Sequence, residues 1–298
     1  MKMLKESVTP HVLLEPGSTE GSLSTSDVAF GQPNPSEALQ SGTLKWIHLS
    51  SAGYTRYDTD AFRQSAQKLG LQLTNSSSVY DSPCAEQLFS FMMAQSRGLV
   101  EALKTRTTNG GPVWAKLRYN CRTLTGQSVL ILGFGAIARR LVELLAPFHM
   151  NISAYRRTPT GDEGLPMVST EGLPAALAAA DHVINILPEN AGTISFFSAE
   201  RLDEIKPGAV FYNIGRGTTV DQLALAEALN SGRLAAAWLD VTEPEPLPDE
   251  HPLWKISNCH ITPHIGGGRH EEGEALVNHF LQNLERYAHE KNLQDRVI

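Results

Sequence analysis

Ser128-Val-Leu-Ile-Leu132 runs straight into Gly133-Phe-Gly135-Ala136-Ile137-Ala138. The first stretch is apolar without alternation, which predicts a strand covered on both faces. Beyond it, Ile137, Leu141, Leu144, Leu145 and Phe148 recur at helical spacing and give one broad apolar face. The two glycines therefore sit between a buried strand and the start of a helix. Gly133 suits the tight turn, Gly135 leaves room for close approach to the backbone, and the small Ala138 lets helix and strand pack tightly. A helix start of this kind offers unpaired amides, here around Gly135, Ala136 and Ile137, and a partial positive charge. The strand–GxGxxA–helix context reads as a cradle for the pyrophosphate of a dinucleotide.

Working outward, further apolar runs predict strands at Ile152–Tyr155, Val183–Leu187, Val210–Ile214, Ala236–Leu239 and His260–Thr262. Helical spacing fills the gaps, notably at Ala175–Ala180 and at Val220–Asn230, which Gly232 stops. The alternation implies an α/β fold with a doubly wound parallel sheet of about six strands. Upstream, Leu44–Leu49 and Leu71–Thr74 predict strands on either side of a helix over Asp60–Leu69, closed by Gly70. Val12–Leu14 and Val28–Phe30 are shorter strand candidates. A long helix is expected from Ala85 to about Leu103, ended by the breakers in Thr107–Pro112, and a last helix from Glu274 to about Glu290.

The chain has 298 residues, enough for two domains, and a net charge of −7. With no basic stripe to offset that charge, a nucleic-acid partner is not expected. Cys84, Cys121 and Cys259 are scattered and form no CxxC, so neither a disulfide framework nor a metal site is expected; buried thiols in a reducing cytoplasm are. No apolar run approaches the roughly 18–20 residues of a membrane span, and the first residues do not read as a signal peptide.

Cofactor choice turns on the end of the strand after the glycine turn. An NAD site places an acid about 20 residues beyond the first glycine, against the ribose 2′-hydroxyl. Here the strand ends Ala154-Tyr155-Arg156-Arg157-Thr158, with no acid and two guanidiniums. A guanidinium pairs with a 2′-phosphate, so NADP(H) is preferred and NAD(H) remains possible.

The last third supplies the chemistry. Asn213-Ile-Gly-Arg216-Gly, Leu239-Asp240-Val, Glu243-Pro-Glu245-Pro and Thr262-Pro-His264 set a guanidinium, carboxylates and an imidazole beside apolar runs. Arg216 can hold a substrate carboxylate and stabilise charge growing on a carbonyl oxygen, while His264 can pass a proton. A carboxylate beside that histidine would orient it and favour its protonated form; Glu245 and Glu243 compete for the role.

From about Leu44 to His289 the chain resembles the D-isomer-specific 2-hydroxyacid dehydrogenases. The likeness rests on Ser51-Ala-Gly53, Ala85-Glu86, Gly133–Ala138, Leu187-Pro188, Lys206-Pro-Gly-Ala, Asn213–Gly217, Leu239-Asp-Val, Glu245-Pro and Thr262-Pro-His264. The resemblance implies two Rossmann-like domains with doubly wound parallel sheets. The substrate domain would be smaller and discontinuous, residues 1–95 with 270–298 returning to it, and residues 96–269 would bind the dinucleotide. It implies that Arg216 binds the substrate carboxylate, that His264 is the acid/base and that Glu245 is its partner. It puts the amides of Ala52 and Gly53 on the substrate carboxylate. Asp240 would lie near the nicotinamide carboxamide, and Leu187, Pro188 and Thr193 on the cofactor side. Members are usually homodimers that interconvert small 2-oxo and D-2-hydroxy acids. The arginines favour an NADPH-dependent glyoxylate/hydroxypyruvate type. An NAD-dependent enzyme of the 3-phosphoglycerate or D-lactate type, or a dinucleotide-sensing binding protein of the same fold, are the alternatives.

Overall fold

The computed structural model describes residues 22–298, so the strand expected at Val12–Leu14 lies outside the described residues. The chain divides into two compact units: one holds the residues up to Tyr80 together with Gly268–Ile298, the other Asp81–Gly267. The sequence reading set these joins at 95/96 and 269/270. The helix Ser77–Ser96 accounts for the first difference. Its Phe91 stacks on Trp238 at 5.0 Å, and its Gln95 accepts a 2.9 Å hydrogen bond from the Trp238 indole. These contacts, with buried Leu88 and Met92, assign most of the helix to the larger unit.

In the smaller unit, β1 (Val28–Gly31), β2 (Trp46–Leu49) and β3 (Gln72–Thr74) form a parallel sheet in the order β1-β2-β3. All four residues of β2 are buried, and their side chains alternate between two cores. Ile47 and Leu49 join Ala38, Phe62, Ala66 and Leu73 beneath the helices Pro35–Gln40 and Asp60–Leu69. Trp46 faces the helix Glu272–Ala288, packing with Phe280 and Val277 and stacking on Tyr287 at 5.3 Å. Gly70 closes Asp60–Leu69 at φ 66°, as expected. The free edge of β3 is covered by the chain end: the Val297 amide donates to Leu73 O at 2.8 Å, and Arg296 bridges Thr74.

His48 sits in a closed polar chain between these layers. The Trp46 indole donates to Thr74 Oγ1 at 2.9 Å, which leaves the threonine proton for His48 Nδ1 at 2.7 Å. His48 Nε2 then donates to Ser76 Oγ, which donates to Leu49 O at 2.7 Å. Burial, reinforced by the nearby His279, lowers the His48 pKa to about 3, so the ring is neutral and structural.

The larger unit carries β4 (Ser128–Leu132), β5 (Asn151–Tyr155), β6 (Met167–Val168), β7 (His182–Asn185), β8 (Val210–Asn213), β9 (Ala236–Leu239) and β10 (Cys259–Ile261). All pairs are parallel, in the order β10-β9-β8-β7-β4-β5-β6. The sheet has seven strands where about six were expected; the extra one, β6, has two residues, too few for an apolar pattern to register. The single long helix expected over Ala85–Leu103 is instead two helices, Ser77–Ser96 and Leu99–Thr105. Gly98 between them takes φ 58°, left-handed backbone that a right-handed helix cannot include. Gly111–Asn120 is a further helix; Pro112, read only as a breaker, lies in its first turn, where proline is tolerated.

Candidate active site

Because every strand of the larger sheet is parallel, the loops that follow β4, β5, β7, β8, β9 and β10 all leave from its carboxyl edge. β4 pairs with β5 on one side and β7 on the other, so the chain reverses its winding there, the place where such sheets take ligands. Gly133, Arg156, Leu187, Arg216, Asp240 and His264 all lie on these loops.

The glycine turn fits a dinucleotide. Gly133 takes φ 93°, and a Cβ there would stand 2.8 Å from Ile186 O, so the turn admits only glycine. Gly135 is exposed and caps the helix Ala136–Leu145 with no side-chain hydrogen bond, and a Cβ added to it would meet nothing within 4 Å. The first-turn amides, at Ala136 and Ile137, follow this open position, while Ala138 is fully buried. Leu187 is buried and Pro188 exposed. Thr193 closes their loop by donating to Pro188 O at 2.6 Å and accepting from the Asn190 amide at 2.8 Å.

At the end of β5, Arg156 is partly buried and Arg157 exposed. Arg156 Nη1 lies 3.5 Å from Glu163 Oε1.

Arg216 follows β8, on a backbone fixed by buried amides. Asn185, at the end of β7, donates to Asn213 Oδ1 at 3.1 Å and to Thr219 Oγ1 at 2.7 Å, and accepts from the Leu187 amide. Asn213 and Thr219 in turn donate to Arg216 O at 3.1 and 2.6 Å. These side chains fix the backbone at Arg216, whose guanidinium Nη1 donates to Gly215 O at 2.6 Å.

His264 Nδ1 lies 2.8 Å from Glu245 Oε2, and Glu245 Oε1 accepts from the Thr242 amide at 3.1 Å. Glu243 does not share this contact; its amide donates to Gln222 Oε1 at 3.1 Å. His264 holds φ 51°, a left-handed backbone uncommon for a residue with a Cβ. The neighbouring Asp240 supports it: Asp240 O accepts from the His264 amide at 2.9 Å. The Asp240 carboxylate accepts from Thr262 Oγ1 and from the amides of Ile265 and Gly266 at 2.6, 3.0 and 2.8 Å. With 1% exposure, Asp240 clamps the loop that carries His264.

Ala52 and Gly53 belong to the other unit, in the loop after β2. Both their carbonyls are turned to side-chain donors, Asn75 Nδ2 at 2.7 Å and Ser51 Oγ at 2.6 Å.

Sequence reasoning missed the roles of Asn185 and Thr219. The only signal for Asn185 was a polar residue closing an apolar run. Cys84 is a buried thiol pushed up to about 12 by burial, within electrostatic reach of Asp240 and Arg216, and so is inert as a nucleophile.

Residues 89–266 match the profile of the D-isomer specific 2-hydroxyacid dehydrogenase, NAD binding domain. The chain is 34% identical over 246 residues to the glyoxylate reductase/hydroxypyruvate reductase of Homo sapiens, covering 81% of this chain and 73% of that protein. It is 32% identical over 253 residues to the glyoxylate reductase of Thermococcus litoralis, covering 82% and 74%. Among solved structures, the D-isomer specific 2-hydroxyacid dehydrogenase of Xanthobacter autotrophicus Py2, in complex with NADPH and MES, aligns with a TM-score of 0.81 at 25% identity, covering 100% of this chain and 93% of that one.

Proposed function

The chain belongs to the D-isomer-specific 2-hydroxyacid dehydrogenases, and from that premise we propose that it reduces a small 2-oxo acid of the glyoxylate or hydroxypyruvate kind with NADPH. The observation that carries this reading is the Glu245–His264 contact on the carboxyl edge that also bears Arg216 and the glycine turn. When bound there, a nicotinamide supplies the hydride that reaches C2. Arg216 holds the substrate carboxylate and draws charge onto the carbonyl oxygen. With Nδ1 of His264 occupied by Glu245, Nε2 is the nitrogen that delivers the proton to that oxygen. His264 is half exposed, so solvent can return its proton between turnovers. In the reverse direction the same nitrogen takes the hydroxyl proton.

The preference for NADPH rests on Arg156 and Arg157 where an acid would read the ribose. Losing a charge-assisted phosphate contact costs about 1.5–3 kcal/mol, or roughly 10- to 150-fold. The Arg156→Ala, Arg157→Ala double variant is therefore expected to lose that preference when kcat/KM is compared for NADPH and NADH. A wild type that turns over NADH with the higher kcat/KM contradicts the assignment.

A homodimer is part of the proposal. Leu99 and Leu103 on one helix, and Val113 and Tyr119 on the next, are exposed, Leu103 and Tyr119 to 79% each. Exposed apolar side chains of this kind fit a second copy of the chain. Light scattering is expected to give twice the 32.5 kDa chain mass, and Leu103→Asp to lower it to one. A wild-type mass near 32.5 kDa at all concentrations removes the dimer. Three free thiols favour a reducing compartment, the cytoplasm. No helix among the described residues is long and apolar enough to cross a membrane.

A further inference from the structure

The turn after β5 reads Thr158-Pro-Thr160-Gly161-Asp162-Glu163-Gly164, a sequence that places both acids in solvent. Only Asp162 is there, with its side chain 74% exposed; that of Glu163 is 2% exposed. Its carboxylate is enclosed by its own turn. Oε1 accepts from the Thr160 amide at 2.6 Å and Oε2 from the Gly161 amide at 2.8 Å, while Thr160 Oγ1 shares its one proton between Asp162 Oδ1 and Glu163 Oε1, the latter at 2.8 Å. The Thr160 amide above all holds the group down at about 2, so it is ionised at any working pH. A buried carboxylate calls for a facing cation, and the cation facing it is Arg156, with Nη1 3.5 Å from Oε1 and 3.4 Å from Thr160 Oγ1.

We infer that Glu163 is a positioning residue for cofactor choice, fixing the Arg156 guanidinium so that its free donors meet the 2′-phosphate of the adenosine ribose. This rests on the NADP(H) reading above. A free arginine gives up rotamer freedom on binding; one already braced gives up less. The brace occupies the fringe of one donor out of the fork, and the Arg156 side chain keeps 31% of its surface in solvent. Arg157 is exposed and supplies charge rather than geometry. The turn has a second anchor in Asp162, 3.5 Å from Arg139 Nη2, whose guanidinium lies 5.0 Å from the Phe134 ring centre. The turn is thus tied both to the end of β5 and to the helix that opens the glycine cradle. Glu163 is not placed to read ribose hydroxyls itself, because its side chain is closed to solvent and its oxygens accept from its own turn.

Calorimetry on the wild type, Glu163→Gln and Glu163→Ala, with adenosine 2′,5′-bisphosphate and with 5′-AMP, tests the inference. Both variants are expected to bind the bisphosphate about five- to tenfold more weakly while 5′-AMP affinity moves less than about twofold. In turnover, KM for NADPH should rise by more than kcat falls. Equal losses for both nucleotides would make Glu163 a loop-folding residue only and overturn the inference. Unchanged or tighter bisphosphate binding would overturn it too, by showing that charge outweighs geometry. If the wild type discriminates between the nucleotides and the variants do so equally, Glu163 alone is removed. If the wild type binds both alike, the NADP(H) reading fails beneath it.

Discussion

Replacing His264 with alanine is expected to lower kcat for 2-oxo-acid reduction by about 10²–10⁴-fold, the usual contribution of a positioned general acid. The geometry gives this loss its specific form. Nδ1 of His264 is held by Glu245 at 2.8 Å, and the loop itself is held by Asp240 through a backbone contact and three side-chain contacts. Nothing in this clamp depends on the imidazole, so the variant should fold and bind cofactor while failing at proton delivery. Glu245→Gln retains an acceptor of the same shape without its charge, and its kcat should fall by less. Arg216→Ala removes both the carboxylate anchor and the charge opposite the carbonyl oxygen, so KM should rise and kcat fall together. Steady-state kinetics on the three variants separates these patterns. Near-wild-type kcat in His264→Ala would remove the histidine from the chemistry.

Gly135→Val is expected to abolish dinucleotide binding without harming the fold. A Cβ at this position meets nothing within 4 Å, so the added side chain projects into the open space beside the first-turn amides rather than into the protein. That space is where the backbone must approach a pyrophosphate. The contrast with Gly133 is useful, because a Cβ there would be driven to 2.8 Å from Ile186 O and would disturb the turn itself. Gly135→Val should therefore melt close to the wild type yet show no calorimetric binding of NADPH or NADH. Wild-type affinity in that variant would displace the cradle from this turn.

Much of this architecture was legible because buried parallel strands carry continuous apolar runs. Val129–Leu132, Val183–Ile184 and Ala236–Leu239 announce themselves, and each is followed by the residue that matters at the sheet edge. What the sequence hid is tertiary or very local. The two residues of β6 are below the length at which a pattern forms. The break at Gly98 depends on one backbone angle, and the helix Gly111–Asn120 has no clear apolar face to mark it. The hold of Asp240 on the His264 loop is likewise hidden, because the three donors it accepts from lie some twenty residues on. Glu163 drew no sequence reading, because nothing in a Thr-Gly-Asp-Glu string reveals that the turn folds back over its own carboxylate.

The central claim, that this edge of the sheet reduces a 2-oxo acid, is tested most directly by supplying hydroxypyruvate and NADPH to the purified chain and resolving the product by chiral chromatography. The account predicts consumption of NADPH matched by D-glycerate. No consumption with hydroxypyruvate or with glyoxylate, or a product of the L configuration, would contradict it.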